Sequence, residues 1–448
     1  MPSSGLFSAL LVPDAVRGAT SDRAWVQAML DFEAALAEAE AATGVIPAEA
    51  ASAIAGACSA DRFDAESLGV EGRAAGNPVV PLVKALTEAA GENGGLFVHW
   101  GATSQDVMDS AAMLVAQRTR VLIDADLRRV ANACARLAEE HRSTPMAGRT
   151  LLQQALPTTF GLKAAGWLDS VLDARERLAA IELRAQLGGA AGTLAALGND
   201  ALDVVSGVAE RLGLTASALP WHAQRGPVAE LGAALALAAG ALEKVALDVA
   251  LLSQVEVGEV AEPSGGGRGG SSTLPHKRNP VGSAITRACA REVRGAASVL
   301  MEAMAGEHER AAGAWHSEWA PLTDALALTG GAAAAMAEVL EGLEVRPERM
   351  AANLEATGGL VMAESVTMAM AAAGAGRLDA HHAVAGASKR AADIGRPLRD
   401  VLMDDDAVRE RLSPEEIDRA LDPAAYLGAA PELVERALKR HREQEDSE

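Results

Sequence analysis

A helical pattern runs unbroken from about Ser104 to about His141 and stops only at Pro145. Further long helical stretches are readable at about 157–187, 228–260, 280–304 and 321–343. Alternation rich in β-branched and aromatic residues is nearly absent, so strands are expected only as a few short pairs near loops. The fold class that follows is all-α. Only 3% of the residues are aromatic, so a core has to come from Leu, Val, Met and closely approaching Ala-rich helices. Such helices leave apolar stripes that another subunit must cover, and an oligomer is expected on that ground.

The rest of the chain is read in the same way. Ser21-Asp22 opens a helix in which Trp25, Met29, Phe32 and Leu36 recur at three- and four-residue spacing until Gly44. Short Ala-rich helices fill 47–68, Gly76-Asn77-Pro78 is a break, 79–90 is a helix and 91–95 a loop. After Gly358-Gly359 the helices become shorter and more charged, and 404–406 and 443–448 read as solvated acid. The division expected is an N-terminal helical domain over 1–110, a long-helix domain over 111–358 and a small helical domain over 359–448, without internal repeats.

Several functions are excluded early. A formal charge of −21 repels the phosphates that a nucleic-acid binder must neutralise. Cys58, Cys134 and Cys289 are isolated, without CxxC spacing, and suit a reduced, cytoplasmic protein. No pair of histidines has zinc spacing with a third ligand, so no metal site is expected. The adjacent His381 and His382 suit a surface or subunit contact. Residues 1–18 lack a basic start followed by a long apolar core, so no signal peptide is read. The most apolar run, 231–242, is too short to cross a bilayer, which takes roughly 20 residues.

Chemistry concentrates in one place. Gly270-Ser271-Ser272-Thr273-Leu274-Pro275-His276-Lys277-Arg278-Asn279-Pro280 packs hydroxyls, an imidazole, an ammonium, a guanidinium and a carboxamide together, behind a glycine-rich tether that includes Gly265, Gly266, Gly267 and Arg268. Between 262 and 294 six cations, Arg268, Lys277, Arg278, Arg287, Arg291 and Arg294, face only Glu262 and Glu292. A basic island in an acidic chain points to a small anionic ligand. The literal GxGxxG at Gly265, Gly267 and Gly270 follows a helix, not a strand, and so lacks the setting of a dinucleotide site.

This loop resembles the signature of the fumarase/aspartase superfamily, Gly-Ser-Ser-x-Met-Pro-x-Lys-x-Asn-Pro, with Leu274 in place of Met, a conservative volume change. Three more blocks match: Gly76-Asn77-Pro78, the stretch from His99 to Asp106, and the stretch from Gly148 to Pro157. After Gly-Arg-Thr, adenylosuccinate lyase, argininosuccinate lyase and fumarase carry a histidine that assists catalysis; here the residue is Leu151. That departure argues against those reactions. With Trp100, Trp167, Trp221, Trp315 and Trp319 in their blocks, it points to the branch that closes a lactone within one molecule. A C–N or C–O lyase is the runner-up. A non-catalytic structural paralogue is the third reading, opposed by the intact Ser271, Lys277 and Asn279.

The resemblance implies a homotetramer whose long helices form one shared bundle, with active sites assembled from several subunits. It implies a small tricarboxylate substrate and no cofactor. Ser271 matches the catalytic serine, its alternative being carboxylate binding together with Ser272. Lys277 and Asn279 fit as donors to a carboxylate and to the dianion formed from it. Thr103 and Ser104, at a helix start, either bind a carboxylate or only cap the helix. His99 is an acid, a carboxylate donor or a packed loop residue. Asn77, Thr150 and Gln153 complete the candidate binding set. Arg278 is either solvated or a ligand contact, and Trp315 and His316 either line the pocket or pack.

Overall fold

The computed structural model describes residues 5–264, 269–270, 273–274 and 276–446. It is built mainly of helices, and the six long ones among the described residues are Asp22–Thr43, Ser104–Glu140, Phe160–Ala179, Gly226–Leu252, Val281–Glu302 and Ala314–Glu341. Two short antiparallel pairs interrupt them. Strand β1 (Pro145–Thr150) pairs with β2 (Gln153–Thr159), and β3 (Val260–Ala261) with β4 (Glu344–Val345). The all-α reading therefore holds, and the strands fall beside loops as expected.

Local chemistry explains most helix ends. Ser21 accepts the Ala24 N–H and starts Asp22–Thr43, and Gly44 ends that helix in the left-handed region. Four expected ends shift for physical reasons. Residues 157–159 belong to β2, so that helix starts at Phe160; it stops at Ala179 because 181–187 runs extended, with Ala185 N–H donating to the Thr215 carbonyl. The helix expected to reach 260 ends at Leu252, because Val260 pairs with Val345 in the sheet. The helix expected to open at Pro321 begins at Ala314, anchored upstream of the proline by buried Trp315, whose indole N–H donates to Asp109. The stretch 91–95, expected as a loop, is a short helix.

The chain forms two compact units, each made of three stretches. The first comprises Met1–Leu127, Ala174–Glu243 and Ile285–Ala335. Its core holds Met29, Phe32 and Leu36 with the buried alanines Ala111, Ala116, Ala238 and Ala332, so small side chains do replace aromatics. Helix 314–341 meets the N-terminal segment so closely that a Cβ on Gly331 would clash with the Leu11 carbonyl. At the centre of this unit Arg225 lies between Asp109 and Glu318, with Nη1–Oδ2 at 2.7 Å and Nε–Oε1 at 2.9 Å, and its guanidinium stacks on Trp221. Removing one member of such a buried set costs about 3–5 kcal/mol, because a charge is stranded.

The second unit comprises Arg128–Asp173, Lys244–Ala284 and Met336–Glu448. It holds both strand pairs and the C-terminal helices, which close around Val366, Met370, Val384, Leu398, Leu402 and Ile417. Cys134 and Cys289 are buried and Cys58 is half-buried, and all three are free thiols. His381 and His382 are exposed. Among the described residues no helix is long and apolar enough to cross a membrane.

Candidate active site

In the first unit the segment 99–106 is held by one carboxylate. Asp106, in the first turn of helix 104–140, is fully buried. It accepts the backbone N–H groups of Thr103, Gly188 and Gly189, each at 2.9 Å, and Nε2–H of His222 at 2.7 Å. Gln105 donates to the His222 carbonyl, and Arg310 donates to both Gln105 and the Ala190 carbonyl. Four segments far apart in sequence thus meet around the start of one helix. The acid of the first turn already answers the positive helix end. What half-buried Thr103 and Ser104 offer an anion is therefore their hydroxyls.

His99 sits at the head of this segment with φ +61°, a left-handed backbone that is uncommon outside glycine. Its Nδ1 lies 2.6 Å from Oε1 of Glu33, on helix 22–43. Burial works to lower the imidazole pKa, but the charge and hydrogen bond of Glu33, with Asp106 behind, hold it above the ordinary histidine value. Asn77 spends its amide on its own turn: Oδ1 accepts the Val79 N–H and Nδ2 donates to the Ala75 carbonyl. Exposed His316 stands beside Gly76, its Nε2 3.6 Å from where a Cβ there would be, whereas Trp315 packs inside.

In the second unit Thr150 and Gln153 are the last paired residues of β1 and β2, both exposed. Leu151 and Leu152 form the two-residue tip at φ +50° and +65° and are 97% and 78% exposed. Two positive φ values mark a type I′ turn, which ordinarily takes Asn-Gly. Next to the tip Arg149, paired across the hairpin with Gln154, makes a two-pronged ion pair at 2.6 and 2.9 Å with fully buried Glu259; Asn353 also donates to that carboxylate. Half-buried Lys163, on helix 160–179, lies 3.9 Å from Asp248, and burial lowers its pKa.

Lys277 and Asn279 line a cavity of about 470 Å³ together with His276, Glu262 and Arg346. Lys277 is exposed and Asn279 half-buried, its backbone N–H donating to the Gly269 carbonyl. Glu262 accepts the N–H groups of Gly282 and Ser283 and the Ser283 hydroxyl, and so caps helix 281–302. Arg278 donates to Glu344 and to the Glu262 carbonyl, which makes it a tether between segments. Ser271, Ser272 and the tether from Gly265 to Arg268 lie outside the described residues.

The sequence-derived set thus divides. Asn77, His99, Thr103 and Ser104 belong to the first unit; Thr150, Gln153, Lys277 and Asn279 belong to the second. Sequence reasoning missed Glu33, His222 and Lys163. Glu33 carried a readable signal, an acid between Phe32 and Leu36 on the apolar stripe of an amphipathic helix. His222 and Lys163 carried none, since their partners lie far along the chain. Among the described residues no three of His, Cys, Asp and Glu are grouped to hold a metal ion.

Comparison with known proteins places this arrangement. A family model described as lyase matches residues 12–295, and one described as adenylosuccinate lyase C-terminus matches 359–437. The chain is 49% identical to a 3-carboxy-cis,cis-muconate cycloisomerase of Pseudomonas aeruginosa, over 98% of this chain and 97% of that protein. It is 48% identical to a nitrosuccinate lyase of Streptomyces davaonensis, over 97% and 94% respectively. The crystal structure of a 3-carboxy-cis,cis-muconate lactonizing enzyme from Pseudomonas putida superposes with a TM-score of 0.93 at 46% identity, covering 98% of this chain and 99% of that one. With matching lyase models over most of its length and full-length relatives near half identity, the chain belongs to the lyase family of the fumarase/aspartase superfamily.

Proposed function

We propose that the protein is an intramolecular lyase that closes 3-carboxy-cis,cis-muconate to 4-carboxymuconolactone, a step of aromatic-acid breakdown in the cytoplasm. The observation that carries this reading is the full-length similarity to cycloisomerases, at 49% identity in sequence and a TM-score of 0.93 in structure. The reaction is redox-neutral. A substrate carboxylate oxygen adds to the conjugated double bond, the C–O bond closes the ring, and the electron pair moves to the carbon beside another carboxylate as an aci-carboxylate dianion. That carbon then takes one proton. No electron is transferred, so the chemistry itself asks for no redox cofactor.

In this reading Ser271 delivers the proton and Lys277 and Asn279 stabilise the dianion through charge and hydrogen bonding. Thr103, Ser104, Thr150, Gln153 and Ser272 hold the carboxylates of the tricarboxylate, and Asn77, whose amide serves its own turn, shapes the Gly76-Asn77-Pro78 break that belongs to the same set. Tethering supplies much of the rate, since an oriented intramolecular attack has an effective molarity of about 10⁵ M or more. The three-domain layout of 1–110, 111–358 and 359–448 belongs to the same reading, as does a homotetramer with active sites shared between subunits. The tetramer is supported by exposed apolar side chains along three long helices, Val121, Leu237 and Met301 among them.

A second reading is favoured by one observation, the 48% identity to a nitrosuccinate lyase. The same machinery run as an elimination would remove a proton beside one carboxylate and expel nitrite from the neighbouring carbon. Purified protein given each substrate decides. Lactonisation breaks the diene conjugation, so ultraviolet absorbance should fall with 3-carboxy-cis,cis-muconate, without added cofactor and with EDTA present. Nitrite release from nitrosuccinate with no change in the muconate would replace the first reading by the second. Activity lost to EDTA and restored by a divalent metal would overturn the cofactor-free mechanism.

A further inference from the structure

We infer that Glu33 is the positioning residue of the site: it orients His99 so that Nδ1 carries a proton toward the protein interior and Nε2–H is presented to the substrate as a charged donor. The inference deepens the proposed function and rests on His99 belonging to that site. It starts from a residue that packing does not explain. Glu33 is 1% exposed on an apolar stripe, between Phe32 and Leu36. A leucine there would bury more comfortably, since a buried acid is costly without partners. Its Oε2 has no hydrogen-bond partner among the described residues. Its Oε1 has one described side-chain partner, Nδ1 of His99 at 2.6 Å.

The chemistry of that contact is one-sided. An ionised carboxylate only accepts, so Nδ1 must be the nitrogen that donates. The tautomer is therefore set by Glu33, and Nε2 is left free of that contact on a side chain that is 17% exposed. The left-handed backbone of His99 is held in part by this anchor, because a strained residue persists only when its surroundings over-determine it. When Nε2–H serves the dianion, no bond to Glu33 breaks. The proton on Nδ1 stays, and Glu33 remains a carboxylate throughout.

The charges around the pair favour an imidazolium. Glu33 faces it from helix 22–43 and Asp106 from the start of helix 104–140. Cys58 and Glu40 also neighbour Glu33. Burial pushes the Cys58 thiol up to about 12 and the Glu40 carboxyl up to about 9, so both are neutral near pH 7. Glu33 and Asp106 are left as the anions that His99 meets.

The test compares Glu33→Gln, Glu33→Leu and His99→Asn in the full-length protein, with melting curves to confirm folding. Imidazole NMR, assigned by the signal lost in His99→Asn, should show His99 protonated on Nδ1 when neutral. Its pKa should fall by about one to two pH units in Glu33→Gln. The alkaline limb of kcat should move down with it, because the donor is present only below its pKa. Glu33→Leu should lower kcat about 10- to 100-fold at all pH values. An unchanged His99 pKa in Glu33→Gln, or a neutral ring protonated on Nε2, would overturn the inference. Full activity in His99→Asn would instead remove His99 from the proposed site, a different failure from that of Glu33.

Discussion

Asp106 and Leu151 are both at candidate-site segments, and their surroundings are opposite. The Asp106 carboxylate is buried and takes four hydrogen bonds within one unit. Leu151 and Leu152 stand nearly free of the chain, in a backbone conformation leucine disfavours. The first region is completed by its own chain. The second carries strain and exposed apolar surface that nothing among the described residues of its unit offsets. Strain of this kind persists where another contact repays it, and the proposed shared active site supplies one. On that proposal, one half of the candidate set is preorganised at folding and the other half is presented for assembly.

The comparison can be broken first at the chemistry. Ser271→Ala should lower kcat by about 10²–10⁴-fold with little change in KM, since it removes a donor used in the transition state. Reassembling it with inactive His99→Ala should restore part of the activity if sites are shared. A fully active monomer in light scattering would end that idea. Next comes Asp106→Ala, which strands three N–H groups and His222. It should destabilise the protein by about 3–5 kcal/mol, read as a lower urea midpoint.

The hairpin should answer in the opposite direction. Leu151-Leu152 replaced by Asn-Gly should stabilise the protein by about 1–2 kcal/mol, because the turn no longer forces leucine to positive φ. Turnover should nevertheless fall. A stabilised protein with unchanged kcat/KM would show that the two leucines serve no site.

A last effect concerns an exception inside the well-satisfied unit. Glu40 is fully buried and both carboxyl oxygens lack hydrogen-bond partners among the described residues. Burial, then the charge of Glu33, raises its pKa from 4.5 to about 9. The folded protein thus keeps this proton over a range where the unfolded chain has lost it, and stability falls as pH rises through that range. Glu40→Met should stabilise by about 1–3 kcal/mol, the gain growing from pH 5 to pH 9. A gain that is flat with pH would mean that Glu40 is not the titrating group.

Much of this was legible beforehand, for reasons that can be named. Ser21, Gly44 and the stripe of Trp25, Met29, Phe32 and Leu36 act within a few residues of themselves, so the helix they define could be read directly. The start of helix 104–140 and its stop before Pro145 were local in the same sense. The pairing of Asp106 with His222 joins residues more than a hundred positions apart, and neither identity announces the other. The turn at Leu151 was hidden for a different reason. Positive φ is signalled by Gly, Asn or Asp, and leucine is silent about it. Arg278 was left between two roles because its partners, Glu344 and the Glu262 carbonyl, are brought near only by the β3–β4 pairing.

The trio of Asp109, Arg225 and Glu318 restricts how this chain can change over generations. Each substitution taken singly leaves an orphaned charge inside the first unit, whereas three apolar side chains of similar volume introduced together would fill the same space without one. The three positions therefore form a single heritable character, separated from its alternatives by intermediates that fold poorly. Recombination with a distant relative should succeed when a crossover inherits all three from one parent and fail when it divides them. A library of chimaeras sorted by soluble yield would expose that linkage even though the residues lie on separate stretches of the sequence.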